Sequence, residues 1–446
     1  MKPAFAAVFI ALLGASPAIA NPVALTHVRL IDGTGSPPAE DMTILIDGPI
    51  IRAVGQNLTL PPGTQVLDRT GDTVMPGLIS DHSHVGQVGG TTTGPQFYTR
   101  DTITAELGQY RRYGVTTVTA LGNNAPILFD TLRQEAHARQ LPADLFGVDA
   151  GIGVPRGAPP VNVAPDQLIR PRTPTEAREA VGVMAAHGTD LVKIWVDDFD
   201  HSLPVKMKPA IITAVVEDSH RRGLRVAAHI HDLADAQRVV AAGVDILAHG
   251  VRDKPVPPAF VDTLRTKGIW YIPTLELDEA STAWADEAPW TRTAFTRAGL
   301  STALQQQIAD PAWRQQHASG KQARFARDSL AINLQNLKTL HDAGVKIGFG
   351  TDSGAMPLRV PGIAEHRELA LSVQAGLSPL ETIKLATGNA ADLMGLTDRG
   401  RITPGLRADL MVVEGNPASN IRDADRIVET WENGTSVPGP LSQNGN

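Results

Sequence analysis

Between about residues 75 and 396 the sequence alternates eight β-branched or apolar runs with helix-like stretches, and this alternation limits the fold more than any other feature. The runs are Val74–Asp81, Val115–Leu121, Asp144–Ala150, Leu191–Val196, Leu224–His229, Val244–His249, Ile269–Leu275 and Val345–Thr351. Stretches such as Thr175–His187, Lys208–Arg222 and Leu233–Ala242 separate them, with Gly223 and Gly243 as helix stops. Such alternation implies parallel strands joined by right-handed crossovers, and eight units imply a (β/α)8 TIM-like barrel. An open doubly wound sheet is the alternative, but no Gly-x-Gly-x-x-Gly turn follows the first run.

Both flanks read differently. Val28–Ile31, Thr43–Ile46 and Ile50–Val54 are short apolar runs ended by Asp-Gly or Gly, the pattern of antiparallel strands. Ala408–Val413 and Ile427–Trp431 repeat it near the other end. A small β-sandwich built from both termini is expected, with residues 21–74 plus 403–446 in it and residues 75–402 in the barrel.

Residues 1–20 combine Lys2, an apolar run from Ala4 to Leu13 and the small-residue pattern Ala18-Ile19-Ala20, so they read as a signal peptide and predict a secreted or periplasmic protein. No later stretch reaches the roughly 18 uncharged apolar residues that a membrane span needs. Cysteine is absent, which removes disulfides and thiolate chemistry and leaves any metal to nitrogen and oxygen ligands. Loss of Lys2 with the leader takes the formal charge from −7 to −8. That mild acidity, without a long Lys/Arg cluster, argues against nucleic acid or an anionic membrane as the main partner, and a small-molecule substrate is expected.

Potential metal ligands fall at the strand ends, where the loops of such a barrel build the active site. His82 and His84 close the first run and share one face of a regular strand. Lys193 is expected to close the fourth strand, His229 the fifth, His249 the sixth and Asp352 the eighth. His231 competes with His229, but His229 directly ends Val226-Ala227-Ala228, which leaves His231 for substrate. Taken singly, each is as well explained by packing or turn chemistry; in this order they describe a two-metal hydrolase site.

The run Met75-Pro76-Gly77-Leu78-Ile79-Ser80-Asp81-His82-Ser83-His84 resembles the opening motif of the amidohydrolase superfamily, and Gly350-Thr351-Asp352-Ser353-Gly354 resembles its last-strand motif. Gly388-Asn389-Ala390-Ala391 and Gly400 to Leu410 are similar to the stretch where such chains leave the barrel. Val192-Lys193-Ile194, Ala227-Ala228-His229 and Ala248-His249-Gly250 narrow the resemblance to the imidazolonepropionase-like and Xaa-Pro dipeptidase-like branch. The resemblance implies two divalent ions, zinc by default, bridged by a carboxylated Lys193. It assigns His82, His84 and Asp352 to one ion and His229 and His249 to the other. Ser80 departs from the family, which usually has Asp two residues before the first ligand; here Asp81 follows one place on.

Amide hydrolysis lacks a good nucleophile at neutral pH, and a divalent ion lowers the pKa of water from about 15.7 toward 7. Asp352 would act as general acid/base, with His231 or Tyr271 helping the oxyanion. Arg252 is a candidate anchor for a substrate carboxylate, with a salt bridge to Asp253 or Asp198 as the competing expectation. The segment from Glu276 to Gly344, carrying Trp284, Trp290 and Trp313, forms either a lid or a helical hairpin packed on the barrel. Loops Gly86–Gly94 and Gly151–Gly157 look like pocket walls, and the remaining histidines, His366 among them, are expected in solvent. The leading reading is hydrolysis of a peptide-like, N-acyl amino acid or Xaa-Pro amide by a protein able to form homo-oligomers. Opening of a cyclic amide, lactone or ester is the second, and a metal- or ligand-binding protein without activity is the third.

Overall fold

The computed structural model describes residues 21–199 and 201–442; the leader and the export it implies lie outside the described residues. Eight parallel strands form the centre: Leu78–Ser83, Val115–Leu121, Asp144–Val148, Val192–Trp195, Val226–His229, Ile246–Ala248, Trp270–Ile272 and Lys346–Ile347. They lie in two arcs, one of three strands and one of five, rather than in one continuous ladder. Both seams carry hydrogen bonds. Asp81 N donates to Phe349 O at 2.6 Å and Thr351 N to His82 O at 3.0 Å across one. Ile152 N donates to Lys193 O at 2.8 Å and Trp195 N to Ile152 O at 3.1 Å across the other. The strands are short and, apart from the exposed Lys346 and the half-buried Phe146 and Trp270, buried on both faces, as expected when helices cover the outside.

The first expected strand is two. Asp72–Pro76 pairs antiparallel with Leu410–Glu414, and after Gly77 the chain switches to pair Leu78 in parallel with Val115. A Cβ on Gly77 would lie 2.4 Å from Thr116 Oγ1, so the switch point admits only glycine. The seventh run also stops early, because Thr274 turns at φ 48° and Leu275 begins a helix.

Both ends of the chain meet in one eight-stranded sheet, in which Asp72–Pro76 joins Leu410–Glu414 to Val23–Leu30. Hydrogen bonds join its strands into a single branched sheet. It is also mixed: Val23–Leu30 pairs with Ala39–Asp47, and Ala39–Asp47 with Ile50–Gly55, antiparallel as expected, while Gln65–Asp68 and Asp72–Pro76 pair with Val23–Leu30 in parallel. Leu25, Ile44, Ile51, Val74, Leu410 and Trp431 fill its own core, separate from that of the α/β centre.

The long segment after the seventh strand holds the helices Leu275–Ala283, Ala294–Arg297, Thr302–Ala309, Pro311–Ala318 and Lys321–Asp342. Trp284 and Trp290 are buried edge to face at 5.0 Å, and Trp284 Nε1 donates to Leu358 O at 2.9 Å. These two aromatics therefore pack the segment onto the loop after the eighth strand. Trp313 differs: it is half-buried and stacked on His317 at 4.3 Å. His366, expected in solvent, is buried between Tyr113 O at 2.9 Å and Asp425 Oδ1 at 3.0 Å.

Candidate metal centre

The strand-end residues converge at one end of the parallel strands. His82 Nε2 lies 3.2 Å and His84 Nε2 3.0 Å from Asp352 Oδ1, across the seam between first and eighth strands. One ligand atom each from His82, His249 and Asp352 falls within 4.8 Å of the others. This cluster thus draws on both of the expected ligand sets. The His249 ring centroid is 4.5 Å from His82 and 4.3 Å from His229. Lys193 Nζ, completely buried, is 3.4 Å from His82 Nε2 and 5.5 Å above the Trp195 ring.

Backbone conformation explains how Asp352 reaches this point. Its φ of 63° is unusual for a non-glycine residue, and its N–H donates to His82 O at 2.8 Å. Gly350 permits the approach, since a Cβ there would sit 2.6 Å from His82 N. Gly354, at φ 77°, packs on His84 so closely that a Cβ would meet His84 O at 2.1 Å.

Electrostatics favour neutral imidazoles. Burial, and then the Lys193 charge, hold the His82 pKa well below its ordinary value. Burial also lowers His249 strongly, with His229 and His82 adding to the effect, and it lowers His229. Burial brings the Lys193 pKa down to about 7, so neutral amine is available near physiological pH. Burial alone would raise Asp352, but Arg359, with the bonds from His82 and His84, outweighs it and holds the carboxylate well below its usual range.

These donors fit divalent ions. His82 Nδ1 and both oxygens of Asp197 are buried without a hydrogen-bond partner, and Asp197 Oδ2 lies 3.4 Å from His229 Nε2. The imidazoles are oriented from behind, as metal ligands require. His84 Nδ1 is 3.1 Å from Gly122 O, His249 Nδ1 is 2.9 Å from Thr274 Oγ1, and Phe199 stacks on His229 at 4.7 Å. Thr274 at φ 48° is β-branched in the left-handed region, a strain consistent with its hydroxyl's place on His249.

The expected substrate contacts are engaged within the protein. His231 Nδ1 is 2.8 Å from Asp232 Oδ1, its Nε2 is 3.2 Å from Ser329 Oγ, and its ring stacks on Phe325 at 5.0 Å. Tyr271 is fully buried, its hydroxyl accepting from Val251 N at 2.8 Å. Arg252 is buried on Asp278 at 3.0 Å, not on Asp253 or Asp198. The cation that does reach the centre is Arg359, bonded to Asp352 Oδ2. It borders a cavity of about 200 Å³ that Thr91, Trp313, His317 and Met356 also line, so the loop after His84 and the long insertion both wall it.

Four contributors went unread in the sequence. Asp197 directly follows the fourth strand region, a position where an acid could have been flagged. Arg359, Thr274 and Glu365 carry no local signal. Glu365 is fully buried and accepts from Thr351 Oγ1 at 2.7 Å, Ser353 Oγ at 2.7 Å, Ser80 Oγ at 3.1 Å and Gly362 N at 2.8 Å. Ser80, the departure from the family motif, is therefore part of this network.

Parallel strands under helices, with imidazoles and carboxylates gathered at one end of the strands, are the arrangement of hydrolases built on α/β barrels with a candidate metal site at that face. The chain belongs to the amidohydrolase family, whose profile matches residues 73–437, and it is a hydrolase of carbon–nitrogen bonds. It is 26% identical over 464 residues to ochratoxinase of Aspergillus niger, covering 92% of this chain and 85% of that one. It is 25% identical over 384 residues to imidazolonepropionase of Deinococcus radiodurans, covering 84% and 86%. A putative prolidase from Bifidobacterium longum superposes with a TM-score of 0.74 at 25% identity, covering 95% of this chain and 97% of that one. This likeness implies a TIM-barrel fold.

Proposed function

We propose that the protein is an exported, binuclear metal-dependent amidohydrolase that cleaves a peptide-like or N-acyl amino acid amide, the Xaa-Pro type included, with Asp352 as proton carrier. The observation that carries this reading is the meeting of His82, His249 and Asp352 within 4.8 Å on three different strand ends. The two arcs of strands read as one barrel around that point. His82, His84 and Asp352 would hold one ion and His229 and His249 the other. Lys193 would join them only as a carbamate, because an ammonium has no lone pair to give.

Bound divalent ions supply Lewis acidity and an acidified water, with zinc the default for this donor set. The chain supplies the proton path. Water oxygen bonds to the amide carbon, the carbon–nitrogen bond breaks, and Asp352 carries the water proton to the leaving nitrogen. Asp352 can do so only when Arg359 loosens its hold, since that ion pair keeps the carboxylate a weak base. A substrate carboxylate in the adjoining cavity would compete for Arg359, which favours carboxylate-bearing amides over neutral ones. The names of the relatives, ochratoxinase, imidazolonepropionase and prolidase, support an amide or lactam bond.

The test is a hydrolysis screen of metal-replete protein against N-acyl amino acids, Xaa-Pro and other dipeptides, cyclic amides, lactones and esters. Turnover of acyclic amides carrying a free carboxylate is expected. Turnover confined to lactones or esters, or none at all, contradicts the proposal.

A further inference from the structure

A larger cavity, of about 420 Å³, lies apart from the residues of the candidate metal centre. The loop after the third strand, including Pro171 and Arg172, the loop after the fourth strand and the start of the helix Pro209–Arg221, through Ile211, enclose it. Four cationic side chains line it, Arg156, Arg172, Lys206 and Lys208, and no acidic residue does among the described residues. In a chain of formal charge −7 that is a marked local excess. Lys206 is neutralised, lying 2.8 Å from Asp235, 3.4 Å from Asp198 and 3.7 Å from Asp232. The side chains of Arg156, Arg172 and Lys208 are exposed and make no ion pair among the described residues. Val154 and Met207, both buried, give the cavity an apolar floor.

The wall that carries Arg156 is held in place. Arg170 donates to Val154 O, to Gly157 O at 2.8 Å, to Ala158 O at 3.1 Å and to Pro159 O at 2.8 Å, gathering four carbonyls of the loop onto one guanidinium. Arg156 itself sits at φ 59°, a left-handed conformation that this bracing maintains. A braced wall, unneutralised cations and an apolar floor together suit a ligand with a charged end and an apolar body.

We propose that this cavity binds a small organic anion, an aryl or alkyl carboxylate, on side chains that are not among the candidate metal ligands. Its carboxylate would bridge Arg156 and Lys208, and its apolar part would rest on Val154 and Met207. Bidentate contact with arginine favours a planar carboxylate, while inorganic phosphate shares the charge but leaves the floor uncovered.

Calorimetric titration of the metal-replete protein with 4-bromophenylacetate, inorganic phosphate and 4-bromobenzyl alcohol tests the assignment. The carboxylate is expected to bind saturably, with the alcohol about ten-fold or more weaker. R156Q/K208Q is expected to weaken carboxylate binding by about ten-fold at unchanged melting temperature. Bromine density between Arg156 and Met207 in crystals soaked with the carboxylate would support the site. Bromine only beside His82 and Asp352, equal binding by the double variant, or phosphate binding as tightly as the carboxylate would each overturn it.

Discussion

Replacing Glu365 with Gln removes the charge at the centre of the network that holds the Asp352 loop. The carboxylate takes three hydroxyl donors on Oε1 and the Gly362 N–H on Oε2. A glutamine of the same shape can keep its oxygen toward the hydroxyls only by aiming its NH2 at the Gly362 N–H, which strands a buried donor at a cost of about 1–3 kcal/mol. The three hydroxyl bonds also lose charge assistance, which roughly halves their strength. A destabilisation of about 2–4 kcal/mol follows, a fall in melting temperature of roughly 2–4 °C for a chain of this length. Thr351 and Ser353 flank Asp352, so a shift of about 1 Å there would lower kcat by up to about 100-fold. KM and bound metal should change little. The measurements are thermal melting, metal analysis and steady-state kinetics of Glu365→Gln beside wild type. A variant with wild-type melting and kcat would refute the claim that Glu365 positions the base.

Thr274→Val keeps shape but removes the oxygen on His249, and metal affinity measured with a competing chelator should fall by about 10–100-fold, whereas Thr274→Ser should retain it. Arg359→Met should raise KM for carboxylate-bearing amides more than for their carboxamide analogues; equal effects would count against the anchor. Glu368, buried on Leu275 N and Glu276 N, has its pKa raised by burial from 4.5 to about 8. The folded state therefore holds that proton when the unfolded chain has lost it, so its stability contribution is full below pH 4.5 and is lost as pH rises through about 8. Urea titrations across that window should show a flatter pH dependence for Glu368→Gln than for wild type. Expression in a Gram-negative host should yield a periplasmic product whose mass corresponds to a chain beginning after Ala20; a cytoplasmic full-length product would contradict export.

The strands were legible because each is a β-branched or apolar run that stops at a loop, and most of the candidate ligands stood out because they sit at or near those stops, although Lys193, expected to close the fourth strand, lies inside Val192–Trp195. Where adjoining elements are both apolar the boundary disappears from view. Val74–Asp81 reads as one strand, although Gly77 divides it between two sheets. Leu275 reads as strand because its side chain is apolar, while the turn at Thr274 depends on the His249 contact. Arg252 and Tyr271 were expected to face substrate, but their partners Asp278 and Val251 come from tertiary packing that no local pattern encodes. Arg359 and Glu365 lie 7 and 13 residues beyond Asp352, in a loop and a helix whose return to the site only the folded chain reveals.

The central claim is that Asp352 moves the proton in a metal-dependent amide hydrolysis. Asp352→Asn, loaded with metal and assayed on the best N-acyl amino acid or dipeptide of the screen, tests it most directly. The variant is expected to bind metal yet lose at least about 100-fold in kcat. Wild-type turnover by a metal-loaded Asp352→Asn enzyme would contradict the account.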